Sequence, residues 1–155
     1  MNEVVIASAV RTPVGAFMGG LAGVPATELG AVAVAEAMRR AALDPARVDE
    51  LLMGNVLSAG LGQGPARQVS LAAGIPESVP STTINKLCGS GLKAVALAAQ
   101  AIRAGDARVV VAGGMESMSR APHLLQLRTG HRMGAAEAVD SIPGPYTPPT
   151  QPTHL

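Results

Sequence analysis

The chemistry-bearing stretch of this chain is residues 81–116, STTINKLCGSGLKAVALAAQAIRAGDARVVVAGGME, which contains the single cysteine, Cys88. Residues 81–85 are β-branched or small, as a strand requires. After Cys88 come Gly89 and Gly91, and then Leu92, Val95, Ala96, Ala99 and Ile102 recur on one face of a helix. Gly105 stands where a glycine ends a helix. Residues 107–112 read as a short apolar strand closed by Gly113 and Gly114. Cys88 is therefore expected in a strand-to-helix turn, at or just before a helix N-terminus. The first amides of a helix lack intrahelical partners and together carry about half a positive charge. A thiolate there is stabilised, and the same amides suit the oxyanion formed when sulfur attacks a carbonyl. Two glycines would let the chain turn sharply and leave the sulfur uncrowded. A lone cysteine is more often an inert buried hydrophobe. The Asn-Lys-Leu-Cys-Gly-Ser-Gly context favours the reactive reading.

A chain of 155 residues can bury one ordinary core. Apolar residues are 48 % of it, but the only aromatics are Phe17 and Tyr146, so the core must be aliphatic and Ala-rich. A net charge of +1 gives no case for a nucleic-acid or membrane-surface partner. One cysteine excludes an internal disulfide and suits a reducing compartment. No apolar run approaches the roughly 20 residues of a membrane span, and residues 1–13 lack the basic start of a signal peptide. The expectation is a soluble, cytoplasmic protein.

The elements that must hold Cys88 follow in order. Residues 4–10 (VVIASAV) have the continuous apolar character of a strand covered on both faces. Residues 14–25 read as a Gly-rich loop, and 28–43 as an Ala-rich helix with Thr27 as its N-cap. Asp44 and Pro45 start a short helical turn reaching Asp49. Residues 51–57 are a second strand, 58–65 a loop, 66–73 a short helix ended by Gly74, and 76–80 a loop. The order β-α-β-α-β-α-β implies an α/β fold with a mostly parallel sheet and helices on both faces. Reactive groups in such sheets lie at the carboxyl ends of strands, where Cys88 falls. Residues 1–116 form this unit, 117–141 are of mixed polarity, and 142–155 are Pro-rich and expected to lack regular structure.

INKLCGSGLKAV followed by AGGMESMSRAPHLL resembles the nucleophile region of the thiolases, the acetyl-CoA acetyltransferases and 3-ketoacyl-CoA thiolases. ASAVRTPVGAFMGGL and GNVLSAGLGQGPARQ resemble the family's first segment and its second-strand region. The likeness runs nearly unbroken from Val4 to about Ser141 and covers the N-terminal half of a thiolase with the start of its inserted loop domain. It implies acyl transfer between coenzyme A thioesters by a Claisen condensation or its reverse, with no permanently bound cofactor. Cys88 would carry the acyl group as a thioester, and its amide would help form an oxyanion hole. Gly89, Ser90 and Gly91 would form the turn. Asn85, Lys86, Gly113, Gly114, Met115 and Glu116 match motif positions and are read as supporting the turn and a subunit interface, since the intact family is expected to be homo-oligomeric.

The resemblance assigns proton transfer to a His motif and a second Cys in the family's other half. His123, His131 and His154 match neither, and their spacing gives no metal-ligand signal. SIPGPYTPPTQPTHL departs from the family and suggests a truncated or shifted reading frame, so this chain alone is expected to be inactive. Two other readings stand beside this one. Gly89-Ser-Gly91-Leu-Lys-Ala94 fits a dinucleotide fingerprint with Glu116 as its acidic residue, although the preceding strand is polar. The apolar helix face from Leu92 to Ile102 suits a non-catalytic half-domain that associates with other thiolase chains.

Overall fold

The computed structural model describes residues 3–128 and 130–142. Its centre is a parallel three-stranded sheet of β1 (Glu50–Gly54), β2 (Ser81–Ile84) and β3 (Val110–Gly114), in the order β2-β1-β3. The crossovers contain α2 (Pro65–Ala72) and α3 (Ser90–Ala104), and α1 (Ala26–Arg40) precedes them. Beyond β3, β4 (His123–Leu124) and β5 (Val139–Asp140) pair as a small antiparallel ladder. The Pro-rich segment 143–153 lies outside the described residues.

Alternation along β1 divides the core into two layers. Leu51 and Met53 point into a cluster with Val34 and Met38 of α1 and Ala66 and Val69 of α2. Leu52 points the other way, onto Ala94 and Ala98 of α3. Helices thus cover both faces, as the α/β reading requires. With no aromatic side chain in either cluster, small residues set the spacing. The Cβ that Gly30 lacks would stand 2.8 Å from Met115 Sδ and 3.0 Å from Val69 Cγ2.

Several ends differ from their expected places. Residues 4–10 form no strand, and Val5 and Ile6 are 74 and 78 % exposed. Their composition suits a doubly covered strand, but the helical layers lie over β1–β3 only and no described strand pairs with them. The first β of the expected order is therefore absent. Helix α1 starts at Ala26, not after Thr27, because extended Pro25 caps it with its carbonyl, which accepts Glu28 N at 3.1 Å and Leu29 N at 3.2 Å. It ends at Arg40 in a Schellman turn: Leu43 N donates to Met38 O at 3.0 Å, with Ala42 in the left-handed region at φ 48°. The Asp44 cap does form, its Oδ1 accepting Ala46 N at 2.9 Å, although the short helix it starts ends at Arg47.

The β1–β3 pair is held at its amino end by Asp49. Its Oδ2 accepts Arg108 N at 2.7 Å and Val109 N at 2.9 Å, while its own N–H donates to Val109 O at 2.8 Å. Strand β3 therefore enters the sheet later than expected, and Gly113 and Gly114 are its last residues rather than the turn after it. Gly113 pairs with Met53 and Gly114 with Gly54.

At the other end, α3 rests directly on backbone. A Cβ on Gly54 would stand 2.5 Å from Ser90 C and 2.6 Å from Gly91 N, and one on Gly114 would stand 3.0 Å from Gly91 Cα. Three glycines from three elements thus meet where α3 begins.

Two predictions test this frame. Gly54→Ala forces backbone apart at that contact and should cost about 3 kcal/mol, the upper part of the overpacking range. Gly20→Ala, whose Cβ meets nothing within 4 Å, should stay near neutral; equal urea midpoints for the two variants would refute the contact. For Asp49, the Val109 and Arg108 amides hold the carboxyl below its ordinary 3.8. That contribution is complete above the unfolded carboxyl's value and is lost as pH falls through the lower folded one. Asp49→Asn should flatten the dependence of Tm on pH below about 4, the region in which free carboxyls titrate, and an unchanged slope would count against it.

Candidate active site

The turn that carries Cys88 is built by its neighbours' side chains. Asn85 Oδ1 accepts Leu87 N at 3.1 Å. Ser90 Oγ accepts Lys86 N at 2.8 Å and donates to Leu87 O at 2.6 Å, so one buried hydroxyl closes both sides of the loop. Gly89 N donates to Lys86 O at 3.2 Å and Ser90 N to Leu87 O at 3.0 Å. Leu87 is driven to φ 50°, a left-handed conformation that costs a non-glycine residue about 1 kcal/mol. The amides of residues 86, 87, 89 and 90 are thus all spent within the loop. The Cys88 amide donates to none of the described residues, and Cys88 is exposed, immediately before the α3 N-cap Gly89. This is a sulfur open to solvent with its own N–H free beside it. Among the described residues no side chain hydrogen-bonds its Sγ.

Behind this loop the carboxyl ends of the three strands are joined through Asn55 and Glu116. Asn55 is 2 % exposed; its N–H donates to Ile84 O at 3.0 Å, and its Nδ2 donates to Glu116 Oε1 at 2.8 Å and to Met115 O at 3.3 Å. Two acceptors at Nδ2 fix the orientation of the amide. Glu116 Oε2 accepts Val56 N at 3.0 Å and Oε1 accepts Leu57 N at 3.0 Å. This explains why the strand does not run on through Val56 and Leu57: after Asn55 N–H makes its bond to Ile84 O, the amides of Val56 and Leu57 turn to a carboxylate instead of to the neighbouring strand. Met115 N donates to Gly54 O at 2.9 Å, completing the junction.

The residues expected at the site separate into three roles. Cys88 stands where a nucleophile would, and Asn85 and Ser90 build its loop. Gly89 and Gly91 do not make the sharp turn through left-handed backbone: Gly89 has φ −89°, and the left-handed residue is Leu87. Gly91 lies within the helix against Gly114, and it is a Cβ on Gly114 that would crowd it, at 3.0 Å from Gly91 Cα. Gly113, Gly114, Met115 and Glu116 support the sheet end. The exposed Lys86 contributes its backbone amide. Sequence reasoning missed Gly54 and Asn55 as members of the site; the signal was a glycine and a buried-strand asparagine together at the end of an apolar run. His123 lies in β4 and His131 Nε2 pairs with Gly134 O at 2.8 Å, neither hydrogen-bonded to Cys88; His154 lies outside the described residues. A dinucleotide reading fares poorly here. Glu116, which it would reserve for a ribose, is engaged by Asn55, Val56 and Leu57.

Comparison with known proteins agrees with this geometry. Residues 4–144 match the model of the thiolase N-terminal domain. An acetyl-CoA acetyltransferase of Cupriavidus necator is 59 % identical over 143 residues, covering 92 % of this chain and 36 % of that protein. The Escherichia coli acetyl-CoA acetyltransferase is 56 % identical over 144 residues, with 92 and 36 % covered. A mouse relative named as cytosolic acetyl-CoA acetyltransferase is 55 % identical over 141 residues, with 91 and 36 % covered. The crystal structure of a thiolase from Ascaris suum in complex with coenzyme A superposes with a TM-score of 0.83 at 46 % identity, over 89 % of this chain and 36 % of that one. The chain therefore spans about a third of the length of the relatives it matches. A free sulfur at the start of a strand-backed helix, in a chain matched over most of its length, leads to one conclusion: this protein belongs to the thiolase family, and what it holds in common with that family is the N-terminal domain.

Proposed function

We propose that this chain carries the nucleophile of an acyl-CoA C-acyltransferase, with coenzyme A thioesters as its substrates. The observation that carries the reading is the exposed Cys88 sulfur beside its own unspent amide, at the start of α3. The thiol gives its proton to solvent and the thiolate attacks the thioester carbonyl carbon. The Cys88 N–H is placed to stabilise the resulting oxyanion. The bond from carbon to the coenzyme A sulfur then breaks, coenzyme A leaves as a thiolate that takes up a proton, and the acyl group remains on Cys88. Coenzyme A, or the α-carbanion of acetyl-CoA, resolves the thioester in the thiolytic or condensing direction. Relatives named acetyl-CoA acetyltransferase and a coenzyme A complex of a structural neighbour support this substrate class. Relatives named cytosolic support a cytoplasmic setting.

Resolution by carbanion needs a base within hydrogen-bond reach. Among the described residues none hydrogen-bonds Cys88 Sγ, so these residues supply the nucleophile without a proton shuttle. A second reading draws on the outer face of α3, where Leu92 is 77 % and Val95 39 % exposed: the chain associates with another thiolase chain. Co-purification with a co-expressed full-length acetyl-CoA acetyltransferase tests that association, and its absence at micromolar concentrations counts against it.

For the nucleophile itself, iodoacetamide should label Cys88 about tenfold faster in the folded chain than in the same chain in denaturant. Incubation with acetyl-CoA should leave one acetyl group on the Cys88 peptide by mass spectrometry, with no turnover of acetoacetyl-CoA and coenzyme A. Equal labelling rates in the two states would remove the nucleophile reading. Steady turnover would show that a base is supplied after all.

A further inference from the structure

We propose that Glu116 is a positioning residue for Cys88, holding the platform on which the nucleophile loop sits; this rests on the nucleophile reading above. Glu116 follows β3, yet its carboxylate reaches the segment that follows β1. Its two oxygens take three donors: Asn55 Nδ2 and Leu57 N on Oε1, and Val56 N on Oε2. None of these bonds touches residues 85–91. The influence passes through backbone. Fixing Asn55 fixes Gly54, whose Cα side lies against Ser90 and Gly91 with no room for a methyl group. Asn55 N–H also holds Ile84 O, the last residue of β2, immediately before Asn85 whose Oδ1 sets Leu87. Both stems of the Cys88 loop, Ile84 entering it and Ser90 leaving it, therefore bear on the two residues that Glu116 and its partners fix. Packed backbone transmits such a constraint because it has no side-chain freedom to absorb a shift.

The carboxylate, rather than a polar group in general, is required. All three partners are donors, and a carboxylate only accepts. In Glu116→Gln one oxygen becomes an NH2 that must face an N–H, so the isosteric change opens the bond to Val56, or those to Asn55 and Leu57, while leaving volume unchanged.

The test compares Glu116→Gln with Asp49→Asn, a carboxylate-to-amide change at the opposite end of the same strand pair. Labelling of Cys88 by iodoacetamide is measured at a urea concentration where circular dichroism shows each variant folded, and again in full denaturant. Glu116→Gln should lower the folded-state rate on the order of fivefold, as misplacement of a reacting group does, and leave the denatured rate unchanged. Asp49→Asn should leave both rates at wild-type values despite its own loss of stability. Glu116→Asp, which keeps an all-acceptor group on a shorter stem, should recover part of the rate. Should Glu116→Gln not fold, Asn55→Ala removes one of the three donors and is read in the same way. A wild-type folded rate in Glu116→Gln, or an equal slowing in Asp49→Asn, overturns the positioning role while leaving the nucleophile reading standing. A wild-type chain labelled no faster folded than unfolded overturns both.

Discussion

No side chain separates the first turn of α3 from the ends of β1 and β3. Gly54, Gly91 and Gly114 come from three elements and meet as bare backbone, with no room for a Cβ on Gly54 and little for one on Gly114. Everything at the site follows from that contact. Ser90, the first helical residue, is buried between loop and sheet and can close both sides of the loop with one hydroxyl. Cys88, two residues earlier, is carried past the strand ends and left in solvent. A methyl group on Gly54 would stand 2.5 Å from Ser90 C, and one on Gly114 3.0 Å from Gly91 Cα, so either would push the helix and its loop away together.

The strands that form this seat are bracketed by two acidic residues of similar design. Asp49 precedes β1 and binds the amides that lead into β3, whereas Glu116 follows β3 and binds the amides that leave β1. Each stands where a sheet hydrogen bond would otherwise be missing, and each joins the same two strands. Parallel strands need such closure more than antiparallel ones, since no hairpin ties their ends. The two differ in partners. Asp49 receives backbone amides alone, while Glu116 also receives the buried Asn55, which in turn holds Met115 and Ile84. The carboxyl end is therefore the more cross-linked of the two, and it is the end that carries the sulfur.

Much of this was legible in the residues and some was not. Cys88 in a strand-to-helix turn, the periodicity of α3 and its glycine stop at Gly105 with φ 89° are local features, and local features are written in spacing. Asp44 before Pro45 likewise declared its own cap. The misread ends depended on partners distant in the chain. Val56 and Leu57 look like strand, and only a carboxylate 60 and 59 residues away tells them otherwise. Gly113 and Gly114 look like a turn because glycine usually punctuates strands; here they are the strand, and Gly114 leaves room for the helix that crosses it. Residues 4–10 show the converse. Their apolar run describes the surroundings such a segment suits, and composition cannot report whether a neighbouring strand is there to pair with it.

The division of labour within residues 85–91 bears on how far this chain can go chemically. Covalent acyl transfer through sulfur needs a reachable nucleophile, a donor for the oxyanion and a group that moves protons. Between Lys86 and Ser90, Asn85 and Ser90 take up backbone groups of Lys86 and Leu87, Lys86 and Leu87 accept from Gly89 and Ser90, and the Cys88 amide is left without an acceptor. A loop that satisfied every amide internally would be more stable and would lack an oxyanion donor. In the proposed reaction that N–H would be the oxyanion donor, and it lies on the same residue as the sulfur that would create the charge. Among the described residues no side chain hydrogen-bonds Cys88 Sγ to move its proton. The proposed nucleophile and oxyanion donor would come from one residue, as groups that must keep a fixed distance through the reaction should, whereas a proton shuttle tolerates delivery from a separate element.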